Sequence, residues 1–313
     1  MTEKPSTEQR PIRIGLANLD TSHPQGYIPV IRALGHEVIG VYDDGVVFGT
    51  DYPRWFAAEN GIARQYGHLS ELAGDVDVAY VGGCDWTARL GAARLLAEAG
   101  VGILLDKPAA ATWSELDQLQ ELVRSGARIT GGSALLWCDE VRDWAQAHGS
   151  ALTALATCHG HELDYGVHGA ALVLAACGGG VREVQASRVA HALVVDLRWS
   201  AGQVARYLVA DAPLRPEYAV TVVGSDAVCQ LVPQLDGLYR ALLRPALPYL
   251  AGRAPAPRPY RDVIEPERIC LAAAVSLMAS GRWVRMDDPD LVGSGFDAAE
   301  FTRSYREKRL AGR

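Results

Sequence analysis

IRIGLANLDTSHPQGYIPVIRALG, from Ile12 to Gly35, decides the fold of this chain. Its first residues, with Ile12, Ile14 and Leu16 apolar, predict a buried strand. A turn follows, and then GYIPVIRALG predicts a helix closed by Gly35. The same order repeats downstream. HEVIGVYDD reads as a second strand and DYPRWFAAENG as a second helix. LSELAGDVDVAYVGG reads as a short helix and a strand, TARLGAARLLAEAG as a helix, and VGILLDKP as a buried strand. TWSELDQLQELVRSG is a Thr- or Ser-capped helix, and ARITGGSALLW a further strand. Alternation with short, glycine-marked connections predicts an α/β domain over residues 1–131, built on a doubly wound parallel sheet of Rossmann type.

Residues 132–313 have another texture and predict a second α/β domain. After a helix in DEVRDWAQAHG, period-two alternation takes over. VREVQASRVAHALVVDLRWSAGQVARYLVADA and EYAVTVVGSDAVCQLVPQ predict consecutive, mainly antiparallel strands of an open sheet. GRAPAPRPYRDVIEPE is proline-rich and predicts a loop or lid. PERICLAAAVSLMASG then predicts a helix, RWVRM a strand, and DAAEFTRSYREKRL a charged terminal helix.

With 313 residues, 49% hydrophobic and 21% charged, the chain is long enough for two cores. A net charge of −7 argues against nucleic acid or an anionic membrane as partner. Six scattered cysteines without a Cys-x-x-Cys pair predict reduced thiols and a cytoplasmic protein. MTEKPSTEQRP is polar and reads as a frayed tail, not a signal peptide. No apolar run reaches the roughly 18 residues of a spanning helix.

Two segments carry candidate chemistry. In ILLDKPAAAT, Lys107 sits between a buried strand and Pro108, at the carboxyl edge where doubly wound sheets bind ligands. The proline permits a cis bond that would aim the lysine; a plain surface lysine at a strand end is the alternative. In ELDYGVHGAALVL, a helix starting near Asp164 puts Asp164 and His168 one turn apart on one face. A carboxylate beside an imidazole orients it and raises its basicity, which suits proton transfer. The alternative is an aspartate that balances the helix dipole and a histidine that packs.

Taken together, these segments resemble the Gfo/Idh/MocA family of oxidoreductases, which act mostly on sugars, cyclitols and related polyols. The resemblance spans nearly the whole chain. It rests on Asp106-Lys107-Pro108 for the family's Glu-Lys-Pro and on Asp164, Gly166 and His168 for its Asp-x-Gly-x-His. VDVAYVGG and DVIEPERICLAAAVSLMASGRWVRM match further family segments. It implies a Rossmann domain, a second domain whose sheet often forms an oligomer interface (here a homodimer or homotetramer), and a nicotinamide cofactor between the two. Lys107, Asp164 and His168 fall where such enzymes act around a substrate hydroxyl or carbonyl.

The chain also departs from the family. Asn18, Asp20 and His23 stand where the Gly-x-Gly-x-x-Gly loop has glycines. Asn18 accepts a left-handed turn. A carboxylate at Asp20 repels a diphosphate unless it turns inward to cap the helix. Ser22 is able to do the same or to bond a phosphate oxygen, and a protonated His23 offsets charge. Asp43 lies about 20 residues beyond His23, where an acidic group bonds the adenosine ribose, so NAD is expected over NADP. The cofactor set on this reading is Asn18, Asp20, Thr21, Ser22, His23, Asp43, Cys84, Trp86, Asp106 and Pro108. Trp86 either stacks on the nicotinamide or only packs. Leu135, Leu136 and Trp137 replace a customary aromatic and basic pair and imply a less polar pocket. His159 and His161 would share a face if both lay in a strand, as zinc ligands do, but no fourth ligand stands at a telling spacing and no metal is expected.

The expected activity is hydride transfer between NAD(P) and a hydroxyl or carbonyl carbon of a small molecule. His168 takes the hydroxyl proton, Asp164 orients it, and Lys107 stabilises charge on the oxygen and is expected to share in relaying the proton. The rivals are a redox-neutral enzyme on the same scaffold and a small-molecule binder that has lost its dinucleotide.

Overall fold

β1 (Arg13–Ala17) lies at the centre of a six-stranded sheet. Helix α1 (His23–Ala33) carries the chain to β2 (Glu37–Tyr42), and α2 (Tyr52–Glu59) carries it to a two-residue edge strand, β3 (Arg64–Gln65). Next come α3 (Leu69–Asp75), β4 (Val78–Val81), α4 (Ala88–Glu98), β5 (Gly102–Leu105), α5 (Trp113–Arg124) and β6 (Ile129–Gly131). The computed structural model describes residues 10–311, so most of the stretch read as a frayed tail, residues 1–9, lies outside the described residues.

Every pair in this sheet is parallel, in the order β3-β2-β1-β4-β5-β6. The winding reverses between β1 and β4, so the loops after these strands part and leave a crevice at the carboxyl edge. Leu72, Ala93, Leu96, Leu116 and Leu119 of α3, α4 and α5 pack one face of the sheet; Ile28, Ile31 and Phe56 of α1 and α2 pack the other. The strand expected through Trp137 stops at Gly131, and Ala134–Trp137 form a 3₁₀ turn instead. Gly131 and Gly132 take φ of 137° and 69°, which ends the strand in a conformation that suits glycine alone.

The second half begins with α6 (Asp139–His148) and builds a seven-stranded sheet. β7 (Thr153–His159) leads to α7 (Gly166–Cys177), then to β8 (Val181–Val189), β9 (Ala192–Trp199), β10 (Val204–Ala210), β11 (Ala219–Val223) and β12 (Val228–Leu231). After α8 (Leu235–Leu250), α9 (Tyr260–Val263) and α10 (Glu265–Met278), the short β13 (Val284–Arg285) closes the edge, and α11 (Ala298–Ala311) follows. The order is β12-β11-β7-β10-β9-β8-β13. Only β7 and β10 pair in parallel. α7 and α10 cover one face. Leu155 and Val204 stand exposed on β7 and β10.

Two features depart from expectation. The proline-rich segment is a loop only to Pro259; α9 and the start of α10 follow, with Pro266 in the first turn, where a missing N–H costs nothing. Helix α8 carries Pro245 and Pro248 in its interior. Each interior proline costs about 3 kcal/mol. Leu242, Leu243, Leu247 and Leu250 are fully buried against Ile12, Leu16 and Tyr27, and a buried leucine contributes roughly 1.5–3 kcal/mol, so the apolar face wins. Helix α8 therefore leaves the second sheet and lies on the first. No helix among the described residues is long and apolar enough to cross a membrane.

Candidate active site

Strand β5 ends in Asp106-Lys107-Pro108, and the Lys107–Pro108 bond is cis. The Asp106 carboxylate accepts from the Tyr80 hydroxyl at 2.8 Å and from the Lys107 amide at 2.8 Å, and lies 2.6 Å from His23 Nδ1. Burial alone would raise this carboxyl; His23, Arg89 and Lys107 outweigh it and hold Asp106 well below the usual carboxylate range. Asp106 is therefore ionised, and His23 Nδ1 is the donor of their hydrogen bond.

The Lys107 ammonium donates to the Asp164 carbonyl at 2.8 Å and to Asp164 Oδ1 at 2.9 Å, and lies 5.1 Å from the Tyr165 ring centre. The expected orientation of His168 by Asp164 is corrected here. α7 begins at Gly166, which leaves Asp164 in the preceding turn, turned toward the lysine. Ser133, on the loop after β6, holds His168 instead, with Oγ 2.8 Å from Nδ1. Burial, reinforced by the Lys107 charge, pushes the His168 imidazole well below its usual value, so it is neutral at neutral pH.

Lys107 and His168 line one cavity of about 230 Å³. His23 and Asp106 share the polar wall, and Tyr165, Tyr218 and Tyr239 form much of the rest. Of the three apolar residues expected to line it, Leu135 does so. Leu136 and Trp137 face a separate surface cleft, where Trp137 lies under the Arg258 guanidinium.

The first loop is built differently from a glycine loop. Asn18 takes φ of 63°, the left-handed turn expected of it, and its side chain accepts from the Asp44 amide at 3.3 Å. Asp43 accepts from the Leu19 amide at 2.7 Å and from the Gly45 amide at 2.8 Å, which ties the loops after β1 and β2 together. Asp20 turns inward, but it accepts from the Cys84 amide at 3.2 Å and does not cap α1; its other oxygen is buried with no hydrogen-bond partner among the described residues. Ser22 is the cap residue of α1, exposed and without a side-chain capping bond. Thr21, Ser22, His23, Cys84 and Trp86 border a second cavity of only about 80 Å³. Burial pushes the Cys84 thiol up, which keeps it protonated. β7 ends at His159, and His161 instead accepts from the Leu163 amide, so the two histidines do not share a strand face.

Burial, with the nearby Asp43 and Asp44 charges, pushes Asp20 up to about 6. Between about pH 4 and pH 6 the folded state holds a proton that the unfolded state has lost, so stability falls as pH rises through that window. Asp20→Asn is expected to gain on the order of 2 kcal/mol at about pH 7.5, with most of the gain gone near pH 4.5. Thermal melts of both proteins at the two pH values check this; a variant no more stable at the higher pH refutes the assignment.

Sequence reasoning missed Arg89. It is 1% exposed, on the stripe of α4 that also buries Ala93 and Leu96. Its guanidinium donates to the carbonyls of Asp106 at 2.5 Å and Gly83 at 2.6 Å, and also to that of Pro108. The signal was present: an arginine falling on an apolar helical stripe.

No family model and no curated protein matches the chain. Solved structures do. Scyllo-inositol dehydrogenase from Lactobacillus casei, with bound NAD(H) and scyllo-inositol, superposes with a TM-score of 0.72 at 11% identity, covering 88% of this chain and 99% of that one. GenD2 from gentamicin A biosynthesis, in complex with NAD, gives 0.72 at 15% identity over 92% and 99%. UDP-N-acetylglucosamine 3-dehydrogenase from Acidithiobacillus ferrooxidans gives 0.70 at 15% identity over 86% and 100%. The shared property at these identities is the fold, a Rossmann-like unit joined to a second mixed sheet.

Proposed function

We propose that this protein is a dinucleotide-dependent oxidoreductase of the Gfo/Idh/MocA type. Its substrate is a small polyol-like molecule or specialised metabolite with a CH–OH or C=O group, and NAD is preferred to NADP. One observation carries this: Lys107, from the edge of the first sheet, and His168, from the second half of the chain, line a single cavity beside the β1–β4 crevice. The NAD(H) held by two structural neighbours supports the cofactor.

The nicotinamide end of the crevice fits such a group through the strand-end Asp106, Lys107 and Pro108 and the loop carrying Cys84 and Trp86. The helix start at Thr21, Ser22 and His23 offers backbone amides to phosphates, whereas the amides of Asn18 and Leu19 are already held by the Tyr42 carbonyl and Asp43. When bound, the dinucleotide supplies the hydride acceptor or donor. Lys107 holds the substrate oxygen and stabilises the charge that develops on it. Neutral His168, fixed by Ser133, accepts the hydroxyl proton and returns it in the reverse direction. Asp164 holds Lys107 in place, a positioning role and not contact with the imidazole. The tyrosine-rich wall keeps water out and favours a substrate with an apolar face. Residues 1–131 hold the cofactor and residues 132–313 close over the substrate. The exposed β7–β10 face, with Leu155 and Val204, is where a second copy would pack.

Calorimetric titration of NAD and NADP tests the reading directly. Asp43→Ala is expected to reduce the preference for NAD by roughly tenfold, the order of one lost hydrogen bond to a charged group. An unchanged ratio removes Asp43 from that role.

A second reading is a small-molecule binder without a dinucleotide. It is favoured by the phosphate end of the crevice, where Asp20, Asp43 and Asp44 cluster and α11 lies across the opening. Absence of NAD and NADP binding at millimolar concentration would support it.

A further inference from the structure

We infer that α11 is a displaceable internal plug of the dinucleotide groove, so that the cofactor binds only to molecules whose C-terminal helix has moved away. This rests on the dinucleotide reading and adds its regulation.

The contacts of α11 follow the groove from end to end. The chain enters beside β5, where Phe296 donates its amide to the Ala111 carbonyl at 3.0 Å and Trp113 donates to Ser294 at 3.1 Å. Phe301 then stacks on Trp86, with ring centres 4.1 Å apart, at the loop after β4. Thr302 donates to the Cys84 carbonyl at 3.2 Å. Tyr305 donates to the Asp20 carbonyl at 3.1 Å, in the loop after β1. Arg309 lies 5.5 Å from the ring centre of Phe48, beyond β2. Loops after β4, β1 and β2 are met in the order in which a dinucleotide in such a fold runs from its nicotinamide to its adenosine. What remains of the groove is the cavity of about 80 Å³, well under the roughly 300 Å³ at which small-molecule sites begin.

The helix is suited to leaving. Ala298, Phe301, Thr302 and Tyr305 recur at helical spacing and form one docking stripe. Of these only Ala298 is fully buried; the other three are half-buried, and most of the remaining surface is charged or exposed. Both side-chain hydrogen bonds to the groove end on backbone carbonyls, which water satisfies equally well once the helix departs. The last turn is basic, and Arg309 lies near the rings of Phe48 and Tyr305 and forms no ion pair with the groove among the described residues. A ligand that needs a minor conformation binds with its affinity reduced by the fraction of molecules in that conformation.

The test is calorimetric titration of NAD into three proteins: the full chain, a chain ending at Gly295, and the full-length double variant Phe301→Ala/Tyr305→Ala. Hydrogen exchange of α11 amides in the full chain with and without NAD is measured alongside. The expected result is at least about tenfold tighter binding by both altered proteins, with faster α11 exchange in the full chain when NAD is present. The double variant keeps the test valid if the shortened chain does not fold. Equal affinity in the full chain and the double variant overturns the plug and leaves the dinucleotide reading standing. No binding by any of the three overturns the dinucleotide reading, and the plug with it.

Discussion

Lys107→Ala is expected to lower kcat by about a thousandfold while leaving NAD affinity within a few-fold of its starting value. One lost charge-stabilising donor costs about 10²–10³ in rate, and the upper end applies because the same ammonium also holds the substrate oxygen. The variant also leaves Asp164 without its ammonium partner at 2.9 Å, so a modest drop in melting temperature is expected with it. Arginine should not rescue the activity, because its planar guanidinium does not fit the compact contact that one ammonium makes with both the Asp164 carbonyl and its carboxylate. The measurement is steady-state oxidation of an accepted polyol, followed by appearance of reduced nicotinamide, alongside calorimetry for NAD. A variant that keeps more than a tenth of wild-type turnover contradicts the role given to Lys107.

Arg89→Met is expected to cost about 3–5 kcal/mol of folding stability, the largest loss of any single substitution around the site. The side chain has almost the same reach, so the loss comes from three buried carbonyls, on Gly83, Asp106 and Pro108, left without a donor. These carbonyls belong to the loop after β4 and to the end of β5, and the guanidinium is what fixes one against the other. It also adds to the positive charge that, with His23 foremost, holds Asp106 ionised. Urea denaturation at neutral pH measures the cost; a loss below about 1 kcal/mol shows that the loops hold their geometry without it.

The strand–helix alternation was legible because it is written in local periodicity, and so were Asp106-Lys107-Pro108 and the segment from Asp164 to His168. What these residues touch was not. The Lys107–Asp164 pair joins residues 57 apart in the chain, and nothing in either segment announces it. The supposed Asp164–His168 pairing depended on a helix start two residues earlier than the real one, and Ser133 was passed over as part of a strand running to Trp137. Helix α8 was hidden by Pro245 and Pro248, whose local penalty is outweighed only by burial against a sheet formed more than a hundred residues earlier. The terminal helix was legible as a charged helix, but its docking place depends on Trp86 and the first loop. Asn18 was readable down to its backbone conformation, because few residue types tolerate that turn.

Helix α8 has a mechanical consequence. It follows the last strands of the second sheet and seats four leucines on the first, packing against β5, the strand that ends in Lys107. The two halves are therefore joined a second time by a buried rod, which opposes their swinging apart about residue 131 like the jaws of a hinge. Entry and exit at the cavity are then expected to come mainly from yielding of its rim.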